Sequence, residues 1–361
     1  MTVVFNGSYL TLRPTGIGNY ALNLWQCWRS MGLPLREFLP AQFAGNDPQV
    51  QRVQLRGHTA RLVWNQAVLP WLLRPGELLF NPVPEGPLVG RTPQVTMAHD
   101  VIPLIYPHWF ASKVGYFRYL IPACLGRSTR IVCNSEQTRT DLVRFYNLDP
   151  ASISVIALAC NRSLFFAQPV SDARLARYGL KPRQYMLYVG AHAPHKNLAR
   201  LLTAFKELGD WEGVLAIGGG MDKRYTPELV RLAHRLGLGE RVRWLDYIPV
   251  EDLAVLYSGA RLFAYISLYE GFGLPVLEAM ACGTPVLTSS TTALAELAGN
   301  SALTVHPEDT EAIVKGLGKL LNPETNLEYS RRSLERASQF SWHDTATATW
   351  QVIEQAAHEV A

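Results

Sequence analysis

The stretch Ser267–Pro285, SLYEGFGLPVLEAMACGTP, follows the short apolar run Arg261–Ile266 and holds two glutamates, Glu270 and Glu278. An apolar run bounded by turn residues predicts a strand that is buried on both faces. Pro275 then suits the first turn of a helix, because its missing N–H needs no partner there. The stretch therefore predicts a strand, a glycine-rich turn and a helix, which is the repeating unit of a parallel α/β sheet.

The rest of the second half repeats this alternation. Amphipathic segments with helical spacing occur at Asn197–Glu207 and Pro227–Leu236, between short apolar runs. The further runs are Tyr185–Gly190, Gly213–Gly218, Val242–Leu245, Pro285–Thr288 and Ala302–Val305. This pattern predicts a doubly wound parallel sheet with helices on both faces.

The first half predicts a similar but less regular lobe. A helix is expected to begin near Gly16, and the final segment, Trp342–Ala361, also has a helical pattern. The strand candidates are Val3–Phe5, Leu78–Phe80, Gln94–Ala98, Arg130–Cys133 and Ile153–Ile156. We expect an α/β fold of two Rossmann-like lobes facing a central cleft, with the lobe boundary after residue 168.

The composition excludes several classes of protein. With 48% hydrophobic and 18% charged residues, the 361-residue chain is neither a disordered segment nor a coiled coil. A membrane-spanning helix would need about 18 consecutive apolar residues, which the sequence lacks. The N-terminus, MTVVFNGSYL, does not have the pattern of a signal peptide. Five scattered cysteines, none of them spaced C-x-x-C, indicate reduced thiols, so we expect a cytoplasmic protein.

The formal charge is uneven along the chain. Residues 1–168 carry fifteen Lys and Arg against eight Asp and Glu, a net +7, whereas residues 169–361 carry nineteen against twenty-two, a net −3. A basic lobe suits an anionic partner, such as nucleic acid, a phosphorylated substrate or an anionic membrane surface. Ordinary charge scatter is the alternative interpretation.

Glu270 and Glu278 are the first candidates for chemistry. Glu270 follows a predicted strand, Glu278 lies in the first turns of the following helix, and a glycine-rich turn connects them. The N-terminus of a helix favours an anion such as a diphosphate, and carboxylates accept hydrogen bonds from sugar or ribose hydroxyls. Alternatively, Glu278 is an ordinary surface residue of the helix and Glu270 is an acidic loop residue without a role in binding.

The segment Glu270–Val286, E-G-F-G-L-P-x-x-E-A-M-A-x-G-x-P-V, resembles the signature of the retaining glycosyltransferases of the GT4 family, which have the GT-B fold. The resemblance covers most of the chain and is strongest from Tyr185 to Pro307. The branch that it resembles contains the mannosyltransferase-like bacterial enzymes that build O-antigen and exopolysaccharide. It implies a C-terminal lobe, residues 169–341, that binds a nucleotide-sugar donor. It also implies an N-terminal lobe, residues 1–168 plus 342–361, that binds the acceptor and onto which the last helix crosses back.

The resemblance assigns roles to the residues of this turn. It implies that Glu270 contacts the hydroxyls of the donor sugar and that Glu278 holds the ribose hydroxyls. The turn that brings its backbone close to the sugar and the phosphates is formed by Phe272, Gly273, Leu274 and Pro275. Gly273 would allow that approach because it has no side chain.

A second donor segment is Pro194-His195-Lys196-Asn197, between a predicted strand and a helix. A lysine at such a loop can neutralise a phosphate, and the resemblance implies that Lys196 binds the donor diphosphate. The family pattern usually has an arginine where this chain has His195, and a basic residue is also missing near Ala191. His195 could supply the second positive charge when it is protonated.

Other candidates follow from strand ends and from the resemblance. Gly16 and Gly18, in the segment Thr15–Tyr20, form a glycine-rich loop at a helix start that would approach the donor phosphates. In the loop after Val242–Leu245, the resemblance implies that Tyr247 and Ile248 touch the nucleobase, mainly through the backbone.

The acceptor side of the site is predicted from the first lobe. His99 ends a strand, where it would orient the reacting sugar or else be a satisfied core histidine. Asp100 and Ser135 are candidate acceptor contacts, and a turn role is equally compatible with Ser135. The aromatic-rich stretch Val101–Gly126 predicts an acceptor groove, a membrane-interface segment or a helix packed in the core.

Missing motifs exclude further chemistry. The sequence has no D-x-D triplet, which would indicate the metal site of a GT-A transferase. It also has no G-x-x-x-x-G-K-[ST], the motif of P-loop NTPases, and no H-x-x-x-H pair, the motif of metalloproteases. The resemblance accordingly implies a metal-independent transferase without a cofactor or a nucleic-acid partner.

We expect retaining transfer of a hexose, mannose from GDP-mannose being favoured, to a lipid-linked glycan acceptor in bacterial surface polysaccharide synthesis. Catalysis would depend on Glu270, His99 and Lys196, and the leaving phosphate would take the acceptor proton. The protein would be cytoplasmic, with peripheral contact at the inner membrane. The alternatives are a UDP- or dTDP-sugar donor, a sugar-nucleotide epimerase or phosphorylase of the same architecture, and a non-catalytic sugar-nucleotide-binding partner.

Overall fold

The computed structural model describes residues 2–11, 16–45, 50–55, 57–170, 172–209 and 211–360. The chain divides into two compact units. The first unit contains the residues up to Leu158 and those from Trp342 onwards, and the second unit is Ala159–Ser341. The boundary therefore lies earlier than residue 168, because the segment after Leu158 packs within the second unit: the ring of Phe165 lies 6.1 Å from that of Tyr257.

The sheet of the first unit has seven parallel strands in the order β3-β2-β1-β4-β5-β6-β7. They are β1 Thr2–Asn6, β2 Leu35–Pro40, β3 Val50–Val53, β4 Glu77–Asn81, β5 Gln94–Ala98, β6 Arg130–Cys133 and β7 Ile153–Val155. The helices before and between them are α1 Gly16–Ser30, α2 Ala41–Ala44, α3 Gly57–Ala67, α4 Leu69–Leu72, α5 Ile102–Ile105, α6 Ala111–Gly115, α7 Ile121–Gly126 and α8 Glu136–Tyr146. A π-helical turn spans Tyr116–Leu120, and 3-10 turns span Gly7–Tyr9 and Pro150–Ser152.

Strands β2 and β3 are absent from the sequence-based prediction, because their residues do not form apolar runs. Within β2, Arg36 donates to Glu77 at 2.8 Å, and Glu37 accepts from the indole of Trp25 at 2.6 Å. These partners lie in other elements, so only the folded unit satisfies the charges. β3 is an edge strand with the polar sequence Val-Gln-Arg-Val, which is typical of a half-exposed position.

The sheet of the second unit has six parallel strands in the order β10-β9-β8-β11-β12-β13. They are β8 Tyr185–Val189, β9 Val214–Gly218, β10 Val242–Asp246, β11 Leu262–Tyr265, β12 Val286–Ser289 and β13 Leu303–Val305. The helices are α9 Asp172–Ala176, α10 Leu198–Glu207, α11 Thr226–Arg235, α12 Val250–Gly259, α13 Leu274–Ala281, α14 Thr292–Ala298, α15 Thr310–Leu321 and α16 Pro323–Ser338. A 3-10 turn spans Pro194–Lys196. Every predicted strand of this unit is confirmed to within one residue at either end.

The last helix, α17 (Trp342–Val360), packs on the first unit, as the resemblance implied. The indole of Trp28 on α1 donates to the carbonyl of Ala346 at 2.9 Å and lies 5.5 Å from the ring of Trp350. The two parallel α/β sheets and this returning helix confirm the predicted GT-B class.

The strand order reverses once in each sheet, between β1 and β4 and between β8 and β11. At such a reversal the loops from the carboxyl ends of the strands diverge and leave a crevice, which is where α/β folds bind ligands. Across the described residues, no helix combines the length and the apolar character that crossing a membrane requires.

Candidate active site

Lys196 and Glu270 meet at the strand-order reversal of the second unit. Lys196 ends the turn after β8, and Glu270 follows the neighbouring strand β11. Lys196 Nζ lies 2.6 Å from Glu270 Oε1, and the two side chains are 14% and 10% exposed. Lys196 also donates to the hydroxyl of Tyr265 at 3.0 Å. Two of the predicted catalytic residues therefore form one buried ion pair.

The pair holds Glu270 in its ionised form. Burial alone would raise the pKa of this carboxyl, but the ammonium of Lys196, and after it His195, hold the pKa below its ordinary value. The charges neutralise each other in the protein alone. A ligand with phosphates for Lys196 and hydroxyls for Glu270 offers each residue a replacement partner, which suits a sugar diphosphate.

Asn197 fixes the position of this lysine. Its backbone is left-handed, with φ of 61°, a conformation that asparagine tolerates better than most residues. Its side-chain amide donates to Ile266 O at 3.1 Å and to Pro307 O at 2.6 Å. Leu268 N donates to His195 O at 2.7 Å, so the loop after β8 is tied to the end of β11.

The turn before α13 requires glycine at position 273 because of its backbone conformation and its packing. Gly273 has φ of +113°, and a Cβ on it would lie 2.6 Å from Leu294 Cδ2. Backbone conformation and packing on α14 therefore account for this glycine, while an approach to a ligand remains a prediction. Phe272 is buried, with its ring 6.3 Å from that of Phe340.

The start of α13 leaves fewer amide donors than the sequence suggested. Pro275 has no N–H, and the N–H groups of Val276 and Leu277 donate to Gly273 O at 2.9 and 3.3 Å. The first N–H of the helix belongs to Leu274, which is half-buried. An anion at this turn would therefore be met by amides that precede Pro275.

The pKa of Glu278 is shifted in the opposite direction to that of Glu270. Its side chain is half-buried on α13, and Oε2 accepts a hydrogen bond from the hydroxyl of Tyr257 at 3.1 Å. Burial raises the pKa of Glu278 to about 7. A set of hydrogen-bond donors, such as the two hydroxyls of a ribose, would stabilise the ionised form.

The loops after β8, β9 and β10 are joined through their backbones. Gly190 N donates to Gly218 O at 2.9 Å, and Gly219 N donates to Asp246 O at 3.0 Å. In the predicted base loop, Tyr247 is 61% exposed and Ile248 is 5% exposed. Tyr247 is therefore accessible to solvent, and its stacking on a base stays a prediction, whereas the side chain of Ile248 is part of the core.

The residues near Ala191 do not supply a second cation. Ala191 is exposed, and the neighbouring His192 is buried with Nδ1 2.9 Å from the hydroxyl of Thr226. Burial lowers the pKa of His192, so this ring is neutral. His195 is 6% exposed, and its predicted contact with a phosphate stays a prediction.

In the first unit, His99 is a buried neutral histidine. Nε2 lies 2.9 Å from Pro82 O, and because a carbonyl only accepts, Nε2 carries the hydrogen and Nδ1 is an acceptor. The ring lies 5.2 Å from that of Tyr20 and is 6% exposed. Burial lowers its pKa to about 4. His99 can accept a hydrogen bond from a hydroxyl, but it is not a proton donor at neutral pH.

The other predicted residues of the first unit have local partners. Asp100 Oδ1 accepts from Ile102 N at 3.0 Å, and Ser135 Oγ caps α8 by accepting from Thr138 N at 3.1 Å. Gly16 is the first residue of α1 and Gly18 is buried within it, whereas Thr15 lies outside the described residues. Ser135 therefore has a structural role in the turn before α8, whereas contacts of Asp100 and Ser135 with an acceptor stay predictions.

The stretch Val101–Gly126 contains both buried and exposed residues. Val101, Ile121 and Leu125 are buried in one hydrophobic cluster of the first unit. Tyr119 is 72% exposed, so the core interpretation holds for part of the stretch, while the acceptor groove and the membrane-interface segment stay predictions.

Two polar features escaped the sequence interpretation. Asn6 donates to Asn81 Oδ1 at 3.1 Å across the strand-order reversal of the first sheet, and both side chains are buried. The available signal was the repeated Phe-Asn that ends β1 and β4. Tyr265, the partner of Lys196, was predicted only as a residue of the strand Arg261–Ile266, and Tyr257, the partner of Glu278, was in no predicted element.

Residues 174–339 match the family described as "Glycosyl transferases group 1". The chain is 30% identical to O-antigen chain mannosyltransferase B of Escherichia coli, over 97% of this chain and 98% of that protein. It is 32% identical to O-antigen chain mannosyltransferase RfbU of Salmonella typhimurium, over 61% of this chain and 58% of the relative.

The fold is similar to that of Alr3699/HepE of Anabaena, solved in complex with UDP and glucose. The TM-score is 0.79 at 17% identity, and the match covers 98% of this chain and 100% of that one. A sequence relative that matches along almost the whole chain, with the family match over the second unit, establishes the assignment. The chain belongs to the group 1 glycosyltransferase family and is a hexosyltransferase with the GT-B fold.

Proposed function

We propose that the protein transfers mannose from GDP-mannose to a lipid-linked glycan during synthesis of a bacterial surface polysaccharide. The observation that carries the proposal is the buried Lys196–Glu270 pair at the strand-order reversal of the second unit. The full-length relative named as an O-antigen chain mannosyltransferase supports mannose as the sugar.

The proposed reaction follows from the charges of these residues. Lys196 and backbone amides before Pro275 stabilise the negative charge that develops on the diphosphate as the bond between C1 and its oxygen breaks. Glu270 holds the sugar hydroxyls by accepting their hydrogen bonds. The acceptor oxygen attacks C1 from the face of the leaving group, and its proton passes to the departing phosphate oxygen. This step retains the anomeric configuration without a side-chain base.

A thermal-shift comparison of nucleotide sugars tests the donor. GDP-mannose is expected to raise the Tm, since a ligand at 100 times its Kd stabilises the native state by about 2.7 kcal/mol. UDP-glucose, dTDP-glucose and mannose 1-phosphate at the same concentration serve as controls. Stabilisation by a UDP- or dTDP-sugar in place of GDP-mannose would refute the donor assignment. Binding without transfer to any acceptor would favour the non-catalytic alternative.

We further propose that the first unit makes the peripheral membrane contact through an apolar–basic patch formed by α3, α4 and residues 86–91. Leu88 N donates to Gln66 Oε1 at 2.9 Å, which joins the loop to α3. The exposed apolar side chains are Val63 (58%), Val68 (42%), Trp71 (82%), Leu72 (39%), Leu88 (37%) and Val89 (54%). An exposed tryptophan among aliphatic residues suits the interfacial layer of a bilayer.

The charges around the patch favour an anionic bilayer over a second copy of the chain. Arg74 and Arg91 are exposed beside it. The acidic residues within 57–91 are Glu77 and Glu85, which are buried at 7% and 4% exposure. Two such basic surfaces would repel each other, whereas anionic lipids attract them.

Vesicle cosedimentation tests this contact. The protein is expected to bind vesicles that contain phosphatidylglycerol, less at high salt, and to bind pure phosphatidylcholine weakly. The variant Trp71→Ser/Val89→Ser should lose roughly tenfold or more in binding, because burying one large apolar side chain contributes about 1.5–3 kcal/mol. Leu327→Ser, at a 54% exposed position of the second unit, is the matched control. Equal binding by all three proteins would contradict the proposal.

A further inference from the structure

Four aromatic rings form a continuous row across the strand-order reversal of the second unit's sheet. Tyr188 on β8 is stacked on Tyr265 of β11 with ring centres 5.5 Å apart, and Tyr265 lies 5.7 Å from Phe263 on the same strand. Phe263 in turn lies 5.3 Å from Tyr257 of α12. Each of the four side chains is 2% exposed or less. Because closely packed buried rings keep one rotamer, the row fixes the positions of its hydroxyl oxygens.

One part of the row holds Lys196. Its ammonium donates to the hydroxyl of Tyr265 at 3.0 Å and to Glu270 Oε1 at 2.6 Å, and Nζ lies 5.5 Å from the centre of the Tyr265 ring. Burial, and after it the charge of Glu270, hold the pKa of Tyr265 well above its ordinary value, so the hydroxyl stays protonated. Two of the three ammonium hydrogens therefore have fixed acceptors, which sets the direction of the positive charge.

The far end of the row holds Glu278. Burial raises the pKa of this carboxyl to about 7, and the hydroxyl of Tyr257, which donates to Oε2 at 3.1 Å, opposes that rise. The hydrogen bond therefore favours the ionised carboxylate, which is the form that accepts hydrogen bonds from both hydroxyls of a ribose. It also fixes the orientation of the carboxylate.

The packing of the row does not require these two hydroxyls. Phe263 lies between Tyr265 and Tyr257 and packs against both without a hydroxyl. A buried hydroxyl needs a hydrogen-bond partner, so tyrosine in place of phenylalanine adds a requirement to a core. The hydroxyls of Tyr265 and Tyr257 bond to charged side chains of the candidate site. That of Tyr188 donates instead to Ala191 O at 3.1 Å.

We propose that Tyr265 and Tyr257 are positioning residues for two different parts of the donor. Tyr265 orients the ammonium of Lys196 towards the diphosphate oxygen on which negative charge develops, and Tyr257 holds Glu278 for the ribose. The inference rests on the proposed function, because it uses the donor contacts of Lys196 and Glu278. The two hydroxyls act on different steps: Tyr265 acts on the transfer step and Tyr257 acts on donor binding.

Deleting one hydroxyl at a time separates the two roles in steady-state kinetics with GDP-mannose and octyl α-mannobioside. Tyr265→Phe is expected to lower kcat by about tenfold, the effect of losing one hydrogen bond to a charged group, while the donor KM changes by less than about threefold. Tyr257→Phe is expected to raise the donor KM by about fivefold and to leave kcat unchanged, because Glu278 binds the ribose equally in the ground and transition states. Rates are expressed per donor site counted by calorimetry, so that unfolded protein does not count as slow enzyme.

Tyr188→Phe is the matched control, because it removes an equally buried hydroxyl from the same row and should keep the wild-type kcat and KM. Equal losses of kcat in Tyr265→Phe and Tyr188→Phe would overturn the role of Tyr265, since any hydroxyl of the row would then have the same effect. A wild-type kcat in Tyr265→Phe, or a wild-type donor KM in Tyr257→Phe, would overturn the role of that tyrosine. If the wild type uses UDP-glucose or dTDP-glucose and not GDP-mannose, the proposed donor is refuted, while the same division between kcat and KM with that sugar supports the positioning roles.

Chemical unfolding without any donor tests Tyr257 independently. The titratable groups that interact with Glu278 in the described part of the chain are Tyr257, Tyr265, Cys160 and Cys282. Burial raises the pKa of each of these four groups, so all of them are neutral at about pH 7 while Glu278 titrates. Stability falls with rising pH until Glu278 is ionised in the folded protein, and Tyr257→Phe should move the end of this fall to a pH above that of the wild type. An end point equal to that of the wild type would contradict the role of Tyr257.

Discussion

Replacing Lys196 by alanine is expected to lower kcat for transfer by roughly 100- to 1,000-fold, the effect of removing one preorganised donor to developing negative charge. Lys196 is the cation 2.6 Å from Glu270, so its loss removes both charge stabilisation and the partner that keeps Glu270 ionised. Initial rates with labelled GDP-mannose measure the effect. Lys206→Ala, an exposed lysine on the adjacent helix α10, is the control and should keep wild-type activity.

The same substitution also affects folding, because it leaves a buried carboxylate without its cation. Removing one partner of a buried ion pair costs about 3–5 kcal/mol, so Lys196→Ala is expected to lower the free energy of unfolding. The double variant Lys196→Met/Glu270→Gln removes both charges and should recover most of the free energy of unfolding while remaining inactive. Chemical denaturation and activity together separate the two effects. A folded Lys196→Ala protein with more than a tenth of the wild-type kcat would exclude the catalytic role.

Replacing Glu278 by glutamine is expected to remove a pH dependence of stability between about pH 4.5 and 7. The pKa of Glu278 is raised from 4.5 to about 7 in the folded protein. In this interval the folded state binds more protons than the unfolded state, so the free energy of unfolding falls as the pH rises. The destabilisation by the ionised Glu278 is absent below pH 4.5, its pKa in the unfolded state, and complete above about pH 7, its pKa in the folded state. At pH 8 the glutamine variant should be more stable than the wild type by up to about 3 kcal/mol.

The affinity for the donor should rise with pH in the interval in which the free energy of unfolding falls. If ribose hydroxyls donate to Glu278, the ionised form binds the donor better, so affinity rises as the pH increases towards 7 and then levels off. Calorimetry in two buffers with different ionisation enthalpies should detect release of a proton at pH 6. Glu278→Gln should lose this dependence and bind more weakly, whereas Glu335→Gln, an exposed position on α16, should behave as the wild type. A pH-independent affinity of the wild type would contradict the ribose assignment.

Local sequence patterns were sufficient where the relevant physics is local. The strands of the second unit are short apolar runs because both faces of a covered parallel sheet are buried, and each was predicted within one residue. The turn at Gly273 and the proline-started helix after it were also evident. In contrast, β2 contains Arg36 and Glu37, whose partners Glu77 and Trp25 come from other elements, so its pattern resembles a loop.

The sequence by itself determined the α/β class, the family resemblance and the residue types of the site, because burial periodicity and turn chemistry act over a few neighbouring residues. Only the tertiary structure decided which of these residues meet. The hydrogen bond between Lys196 and Glu270 spans 74 residues of chain and depends on β8 lying beside β11. The ionisation of Glu270, the raised pKa of Glu278 and the neutral ring of His99 follow from burial and nearby charge, which strand order sets and local sequence does not encode.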